Sequence, residues 1–341
     1  MFDGFLNGES NLFLLIGALV VGMVLIIFGG DKFVDSAIWM AVKLKVPQML
    51  IGATLVSIGT TLPELFTSYT ASAQGEIDIA VGNAFGSIMC NTSLILALSL
   101  TFSPTAVSRK EFTPKFAILV GSVVLLLIFS LNGLISVWQC AVLLAICVGF
   151  FVYNVLAAKK ASKRLETDVS DGSQDYSEYL NKKTWLMILF FVLGAAGIAV
   201  GANLLVSSVK GICVKLGVSE AVIALTVVAL GTSLPELVTT LTSLKKNSTE
   251  ISLGNVIGAN ILNATLITGG SGLISGKGLV IAESEFWTTV VTVVFIIVVL
   301  AVVGVPVLFK KRTYRFQGIA CLVIYAGYVG FLIYQLVAAK A

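Results

Sequence analysis

Histidine is absent from this 341-residue chain, and charged residues make up only 12% of it. The absence of histidine removes the commonest zinc ligand and the commonest proton shuttle near neutral pH. A soluble domain carries about 25% charged residues, so the low charge content excludes a water-soluble globule. The net charge is only +4 and the basic residues lie between apolar runs, which argues against nucleic acid as a partner.

Cysteine is also scarce, and its five positions include no C-x-x-C pair. Each cysteine lies in or beside an apolar run, so we interpret all five as small packing residues. The segment before the first apolar run carries Asp3 and Glu9 and no basic residue, which is unlike a cleaved signal peptide.

Apolar runs of about 20 residues, the length that crosses a bilayer as a helix, make up most of the chain. The mean hydropathy of +1.00 agrees with this pattern. The runs predict an all-α polytopic membrane protein whose first and sixth spans are too long for an upright crossing. The ten expected transmembrane helices lie at about residues 11–44, 46–73, 76–102, 113–131, 134–158, 184–217, 218–244, 249–274, 284–308 and 316–337.

The distribution of positive charge predicts the orientation of these spans. If the N-terminus lies outside, the segments expected inside the cell contain 17 of the 22 lysines and arginines. Cytoplasmic loops carry this excess, so we expect both termini outside and the polar 159–183 segment in the cytoplasm as a flexible linker loop. This topology suits a prokaryotic cytoplasmic membrane.

Two stretches of sequence occur twice, at a constant displacement of 172 residues. The displacement brings GTTLPELFTS at 59–68 onto GTSLPELVTT at 231–240. It also brings GNAFGSIMCN at 82–91 onto GNVIGANILN at 254–263. A constant displacement over so long a window predicts two copies of one structural unit.

The copies divide the chain into two predicted five-helix repeats, residues 1–158 and 184–341. Their repeated regions cover about residues 46–102 and 218–274. Because five is odd, the second copy enters the membrane from the opposite side, which gives the inverted repeats of secondary transporters. Such proteins bind their substrate near the membrane midplane, where the copies meet.

The repeated motifs also predict interrupted helices. Pro63 and Pro235 have no backbone N–H, so each frees the carbonyl group four residues earlier. The glycines of the second motif favour close backbone approach or local unwinding. Unpaired carbonyl groups are tolerated at membrane depth only where they line a cavity or bind a ligand.

Glu64 and Glu236 are the most informative residues of the repeat. An ionised carboxylate near the bilayer centre costs at least about 2.5 kcal/mol, so it is normally functional and paired. The motif spans contain no basic residue to pair with either glutamate, so a bound cation is the expected counter-charge. An all-oxygen site for a hard cation such as Ca²⁺ is predicted from these carboxylates, the freed carbonyls, and the side chains of Thr60, Thr61, Ser87, Asn91, Thr232, Ser233 and Asn263.

The paired G-T-[TS]-L-P-E-L and G-N-x-x-G-[SA]-x-x-x-N motifs resemble the α-repeats of the cation/Ca²⁺ exchanger superfamily, and specifically its sodium/calcium exchanger branch. The resemblance covers nearly all the chain outside 159–183. It implies that Glu64, Glu236, Thr60 and Thr232 bind Ca²⁺ and that Na⁺ shares these oxygens. It further implies Na⁺ ligands at Ser57, Thr61, Ser87, Ala229 (through its carbonyl) and Ser233, with Asn91 and Asn263 facing the centre.

Two departures from the family pattern affect the expected site. Ala259 stands where the first copy has Ser87, so one Na⁺ position loses a side-chain ligand. Asn263 stands where some relatives have Asp, and K⁺-dependent relatives tend to carry that acid, so K⁺ co-transport is not expected. The Thr-Leu-Pro-Glu sequence favours coupling to Na⁺ rather than to H⁺.

The resulting functional hypothesis is Na⁺/Ca²⁺ antiport by alternating access, in which only a neutralised site crosses the apolar barrier. The resemblance implies three Na⁺ per Ca²⁺ and an electrogenic cycle. The long spans 11–44 and 184–217 are the expected moving elements. No cofactor and no protein partner is expected, because the bound ions are the substrates.

Three alternatives are left open by the sequence. H⁺/Ca²⁺ antiport, or exchange of another cation, would use the same glutamates as titrating groups. A cation channel is disfavoured by the inverted repeat, and a membrane-embedded enzyme by the lack of recognisable catalytic groups. Asp31, Lys32 and Asp35 in the first span are not repeated, and we interpret them as a mutually paired cluster.

Overall fold

The computed structural model describes residues 6, 10–167, 182–216, 231 and 233–338, without the side chains of 163–167 and 336–338. Two predicted site residues, Ala229 and Thr232, lie outside the described residues. Most of the predicted linker and the first part of the span predicted at 218–244 lie outside them as well.

The first half of the chain consists of helices joined by short turns, with two π-helical turns, π1 and π2, inserted between α-helical segments. Its elements are α1 Leu12–Leu44, α2 Gln48–Ile51, π1 Gly52–Val56, α3 Ser57–Gln74, α4 Ile77–Cys90, π2 Asn91–Ile95, α5 Leu96–Phe102, α6 Arg109–Ser130, β1 Leu134–Ile135 and α7 Val137–Thr167.

The second half has the same kinds of element in the same order, as far as the structure describes it. Its elements are α8 Thr184–Lys215, α9 Leu234–Lys245, α10 Thr249–Leu262, π3 Asn263–Ile267, α11 Thr268–Ile274, β2 Leu279–Val280, α12 Glu283–Lys310 and α13 Arg315–Ala338.

The helices have the length and composition of membrane spans. In the described ranges, nine helical segments are long and apolar enough to cross a membrane, and they coincide with nine of the ten predicted spans. Of the remaining span, the structure describes α9. The predicted all-α polytopic fold is confirmed. Helix α7 continues to Thr167, which takes it into the segment predicted as a linker.

The interruptions of the helices lie at π-helical turns rather than at the prolines. Helix α3 runs through Pro63 without a break, and α4 runs through Gly82 and Gly86, so the predicted unwinding at these positions is wrong. A proline removes only one hydrogen bond, and the turns before and after it keep theirs. Pro235 lies in the first turn of α9, where a helix needs no N–H.

The three π turns widen the helices by one residue per turn. In π1, the N–H of Ser57 donates to the carbonyl of Gly52, five residues earlier. π2 and π3 begin at Asn91 and Asn263, which are 172 residues apart. π-helical turns often occur at functional sites because they change the direction in which neighbouring side chains point.

Helices α1 and α8 cross at two close glycine contacts. A Cβ atom on Gly201 would lie 2.7 Å from the carbonyl oxygen of Gly22, and one on Gly194 would lie 2.8 Å from that of Gly29. Gly22 and Gly29 match Gly194 and Gly201 at the 172-residue displacement, so the crossing is symmetric in sequence. Small residues allow membrane helices to approach this closely and gain van der Waals contact.

Helix α10 forms the centre of the remaining bundle. Every residue from Ile251 to Leu262 is buried. Helix α10 crosses the α2–π1 segment where Gly254 would place a Cβ 2.4 Å from the carbonyl oxygen of Met49. This close approach brings a helix of the second half against the start of α3, which carries the first repeated motif.

Short backbone ladders join the two halves at both ends of the bundle. At one end, β1 and β2 pair antiparallel, with Leu134 opposite Val280. At the other end, Ala106 pairs with Arg312 in an isolated bridge, and the N–H of Val107 donates to the carbonyl of Lys311 at 2.9 Å.

The charged cluster of α1 has a further partner that the sequence-based interpretation did not include. Asp31 and Asp35 bind Lys246, which follows α9, with N–O distances of 2.6 and 2.8 Å. The Nζ of Lys32 lies 5.6 Å from the ring centroid of Phe190 on α8. Lys246 lies 211 residues from Asp35 in the sequence, so it comes close only in the folded chain.

We expect Gly201→Ala to lower the thermal unfolding temperature of the detergent-solubilised protein by several degrees. The added methyl group collides with the backbone of α1, and overpacking of this kind costs about 1–3 kcal/mol. Gly197→Ala on the same helix is the matched control, because its Cβ would lie 3.5 Å from its nearest neighbour. Equal unfolding temperatures for the two variants would show that the crossing is not tightly packed.

Candidate cation-binding site

Glu64 on α3 and Glu236 on α9 form the centre of the candidate site. Both side chains are 0% exposed. The Glu236 carboxyl group lies beside the hydroxyl groups of Thr60 and Thr61 and the carboxyl group of Glu64. Within the described residues, none of the four carboxyl oxygens has a hydrogen-bond partner. Two carboxyl groups from different halves of the chain therefore share one enclosed space with their oxygens unused.

Hydroxyl groups on one side of the glutamates come from the first two turns of α3. Ser57, Thr60 and Thr61 are 0 to 3% exposed. Thr60 and Thr61 can donate their hydroxyl protons to the carbonyl of Ser57, and Ser57 donates to that of Thr54 at 3.0 Å. A hydroxyl group that donates its proton keeps two lone pairs, so these oxygens are free to act as cation ligands.

The amide groups come from the first residues of π2 and π3. Asn91 and Asn263 are both 0% exposed, and the oxygen and nitrogen of each amide group lack a partner within the described part of the chain. The turn π2 contacts α9, which carries Glu236, and π3 contacts α3, which carries Glu64. Each asparagine therefore lies next to the helix that carries the glutamate of the other half.

Two further hydroxyl groups complete the predicted set. Ser87 on α4 and Ser233, just before α9, are 3% and 1% exposed, and neither oxygen has a partner among the described residues. Ser233 lies near Cys90, the neighbour of Asn91. The described structure thus buries all nine predicted site residues that it contains. The roles predicted for Ala229 and Thr232 remain predictions.

The charge balance of this site favours a bound cation. Among the described residues, Lys115 pairs with Glu111, and Lys246 pairs with Asp31 and Asp35; none of these ion pairs involves Glu64 or Glu236. A buried charge without a partner costs several kcal/mol. The same ranges bring no three acidic, cysteine or histidine side chains together, so neutral oxygens must supply the other ligands of any cation.

Three further asparagines lie outside the predicted set: Asn255 and Asn260 are buried, and Asn83 is half-buried. Asn83 donates to the Ser68 hydroxyl at 2.8 Å, and Asn255 donates to the Thr239 hydroxyl at 2.9 Å. Both are the second residue of the repeated G-N motif, so the repeat itself was the available signal. Asn260 is 0% exposed and unpaired, but its counterpart is Ile88, so the repeat gave no indication of it.

The profile of the family described as "Sodium/calcium exchanger protein" matches residues 14–156 and 186–334. The sodium/calcium exchanger MaX1 of Methanosarcina acetivorans is 33% identical, with 93% of this chain and 97% of that protein covered. The putative antiporter CaxA of Alkalimonas amylolytica is 34% identical, with 78% and 82% covered.

A solved structure has the same fold. The sodium-calcium exchanger NCX_Mj, soaked with Na⁺ and Sr²⁺, matches with a TM-score of 0.75 and 30% identity, covering 94% of this chain and 99% of that one. The fold and the site thus define a membrane antiporter for cations. The chain belongs to the sodium/calcium exchanger family, and the prediction of a transporter rather than an enzyme is confirmed.

We expect Glu64→Gln and Glu236→Gln each to abolish stabilisation of the protein by Ca²⁺. A ligand that binds only the folded state raises the unfolding temperature, and removal of either carboxylate leaves one negative charge for a divalent cation. The measurement is the unfolding temperature across a Ca²⁺ titration. The exposed Glu283→Gln is the matched control and should respond as the wild type does. Full Ca²⁺ stabilisation in both glutamate variants would place the site elsewhere.

Proposed function

We propose that the chain exchanges Na⁺ for Ca²⁺ across a membrane, electrogenically and without K⁺. The observation that carries this proposal is the pair of fully buried, unpaired carboxyl groups of Glu64 and Glu236. One Ca²⁺ or several Na⁺ can neutralise the two carboxylates, so the two cations compete for the same oxygens. The matches to sodium/calcium exchangers support the same substrates.

The neutral oxygens around the glutamates favour a metal cation over a proton. A proton needs only the carboxylates, whereas Ca²⁺ needs about 6–8 oxygen ligands. The unpaired side chains of Ser87, Asn91, Ser233 and Asn263 supply such oxygens, which H⁺/Ca²⁺ exchange would use for Ca²⁺ alone and Na⁺/Ca²⁺ exchange for both ions. Three Na⁺ per Ca²⁺ moves net charge. The amide of Asn263 in place of an acid supports independence from K⁺.

The matching elements of the two halves support the inverted repeat and alternating access. Besides the π turns and the glycine crossing, the loops fall into two groups as the predicted topology requires. The β1–β2 ladder joins loops predicted outside, and the Ala106–Arg312 bridge joins loops predicted inside. We therefore assign both termini to the outside of a prokaryotic cytoplasmic membrane.

The two halves differ in how the long helices meet the core. Between α3 and α8 there is a cavity of about 950 Å³, lined by residues such as Phe66, Thr70, Gln74 and Asn203. The corresponding contact between α1 and α9 is closed, because a Cβ on Gly30 would lie 2.7 Å from Val238. In the assigned topology Gln74 and Glu76, at one end of this mostly apolar cavity, lie toward the outside.

The ion pairs of Lys246 strengthen the closed contact. Burial lowers the pKa of Lys246, but its hydrogen bonds to Asp31 and Asp35 outweigh this and leave the pKa above the ordinary value. At the 172-residue displacement, the three charged residues correspond to the neutral Gln74, Asn203 and Ser207. The opposite conformation, which closes the α3–α8 cavity, therefore forms no equivalent ion pair.

The transport cycle follows from this difference. Helices α1 and α8 move together across the core, closing one cavity and opening the other. The site crosses only when cations neutralise Glu64 and Glu236, because an empty pair of carboxylates carries uncompensated charge into an apolar barrier. Binding of Na⁺ on one side and Ca²⁺ on the other then couples the two fluxes.

We expect ⁴⁵Ca²⁺ uptake into Na⁺-loaded proteoliposomes to require an outward Na⁺ gradient and to respond to membrane potential. External K⁺ and a pH gradient are varied independently, and neither should replace Na⁺. Uptake driven by the pH gradient alone would assign H⁺/Ca²⁺ exchange instead. Absence of Ca²⁺ flux under every gradient would contradict both assignments.

We expect Lys246→Gln to shift the protein away from the conformation with the open α3–α8 cavity. The variant loses the ion pairs that favour this conformation, so a cysteine at Thr70 should react several-fold more slowly with a membrane-impermeant thiol reagent. The background carries Cys213→Ser, because the other four cysteines are buried. Lys245→Gln, at an exposed neighbour, is the matched control. Equal labelling rates in the two variants would contradict the proposed bias.

A further inference from the structure

Asn255 on α10 connects the two halves of the candidate site through both ends of its amide group. Its oxygen accepts a hydrogen bond from the Thr60 hydroxyl at 3.1 Å, and its nitrogen donates to the Thr239 hydroxyl at 2.9 Å. The side chain is 0% exposed. Thr60 lies in the stretch 59–68 and Thr239 in its repeated copy, 231–240. The amide of Asn255 therefore lies between the helices that carry the two glutamates.

The pairing of Asn255 distinguishes it from the other buried asparagines of the core. Asn91, Asn260 and Asn263 leave both amide atoms without a partner in the described part of the chain. Those of Asn91 and Asn263 are available to a cation, whereas the amide of Asn255 is already engaged by the protein. Asn255 is therefore suited to hold a ligand in place rather than to be one.

The directions of the hydrogen bonds orient the group that would face the cation. The Thr239 hydroxyl donates to the carbonyl of Pro235 at 2.9 Å or to that of Glu236 at 3.0 Å, so its oxygen accepts from the nitrogen of Asn255. This bond fixes the amide with its oxygen toward Thr60. The Thr60 hydroxyl then donates its single proton to Asn255 and keeps both lone pairs for another partner.

We propose that Asn255 is a positioning residue that orients the Thr60 hydroxyl for Ca²⁺ from the opposite half of the chain. This inference rests on the proposed function, because it assumes that Ca²⁺ is the cation bound beside Glu64 and Glu236. Asn83, at the matching position, donates instead to the Ser68 hydroxyl and to the carbonyl of Glu64, within its own half. Of these two matching asparagines, only Asn255 connects a residue of the first half, Thr60, with a residue of the second half, Thr239.

Loss of the Asn255 amide should weaken Ca²⁺ binding more than it slows transport. Without it, the Thr60 hydroxyl has the more distant Ser57 carbonyl, at 3.3 Å, as its acceptor within its own helix. When the Thr60 hydroxyl donates to Ser57 instead, the lone pairs of its oxygen no longer point toward the cation. Because the Thr60 hydroxyl loses its buried acceptor on α10, we expect about a tenfold rise in the half-saturating Ca²⁺ concentration.

The test is a double-mutant cycle with Asn255→Leu, Thr60→Val and the double variant, all in the full-length protein in proteoliposomes. The half-saturating Ca²⁺ concentration and the maximal Na⁺-driven uptake rate are measured for each. Asn154→Leu is the matched control, because Asn154 is also buried but donates to Phe150 within its own helix, away from the site. Unfolding temperatures show whether each variant is folded.

If Asn255 acts through Thr60, the double variant binds Ca²⁺ no more weakly than Thr60→Val alone, and Asn255→Leu keeps most of the maximal rate. Additive effects, or an unchanged half-saturating concentration in folded Asn255→Leu, would overturn the inference while leaving the exchange function intact. Failure of the wild type to exchange Na⁺ for Ca²⁺ would instead refute the proposed function on which the inference rests. If Asn255→Leu does not fold, Asn255→Ala, which also removes the acceptor for Thr60 and adds no charge, takes its place in the same cycle.

Discussion

The mutual repulsion and desolvation of two buried carboxyl groups is the constraint on which the rest of this structure depends. Glu64 and Glu236 are fully enclosed, and no basic side chain in the described residues compensates for them. A fold of this kind is stable only with the groups neutralised. The surrounding hydroxyl and amide oxygens favour a metal ion as the neutralising partner, since they offer it ligands.

The packing around the site explains why these oxygens stay available. Ser57 and Thr61 donate their hydroxyl protons to nearby backbone carbonyls, and Thr60 donates to Asn255. The π turns at Asn91 and Asn263 present amide groups that helix geometry would otherwise direct elsewhere. Close helix contacts at glycines, such as Gly254 against Met49, hold the surrounding helices in place. The unpaired groups of the site are thus fixed in position by the packing of the bundle.

The membrane spans and the central glutamates could be predicted because each depends on a short stretch of sequence. The spans follow from apolar runs, and the glutamates follow from a repeated motif. The sequence did not locate the helix irregularities, since a π turn such as π1 follows from packing against α10 rather than from a proline. The partner of Asp31 and Asp35 was also out of reach, because charge complementarity between α1 and Lys246 depends on how the long helix is tilted. Asn260 carries no repeat signal, so only its burial without a partner reveals it.

The two short ladders at opposite ends of the bundle limit how the two halves of the core can move relative to each other. Because β1–β2 fastens one end and the Ala106–Arg312 bridge fastens the other, the halves of the core cannot hinge apart like the lobes of a clamshell without breaking backbone hydrogen bonds. These backbone hydrogen bonds resist separation of the two halves of the core, so in the proposed cycle the motion falls on α1 and α8, which their glycine crossing holds together. In such an arrangement the cation ligands keep their geometry while access to the site changes from one side of the membrane to the other. The site therefore has the same selectivity throughout the cycle.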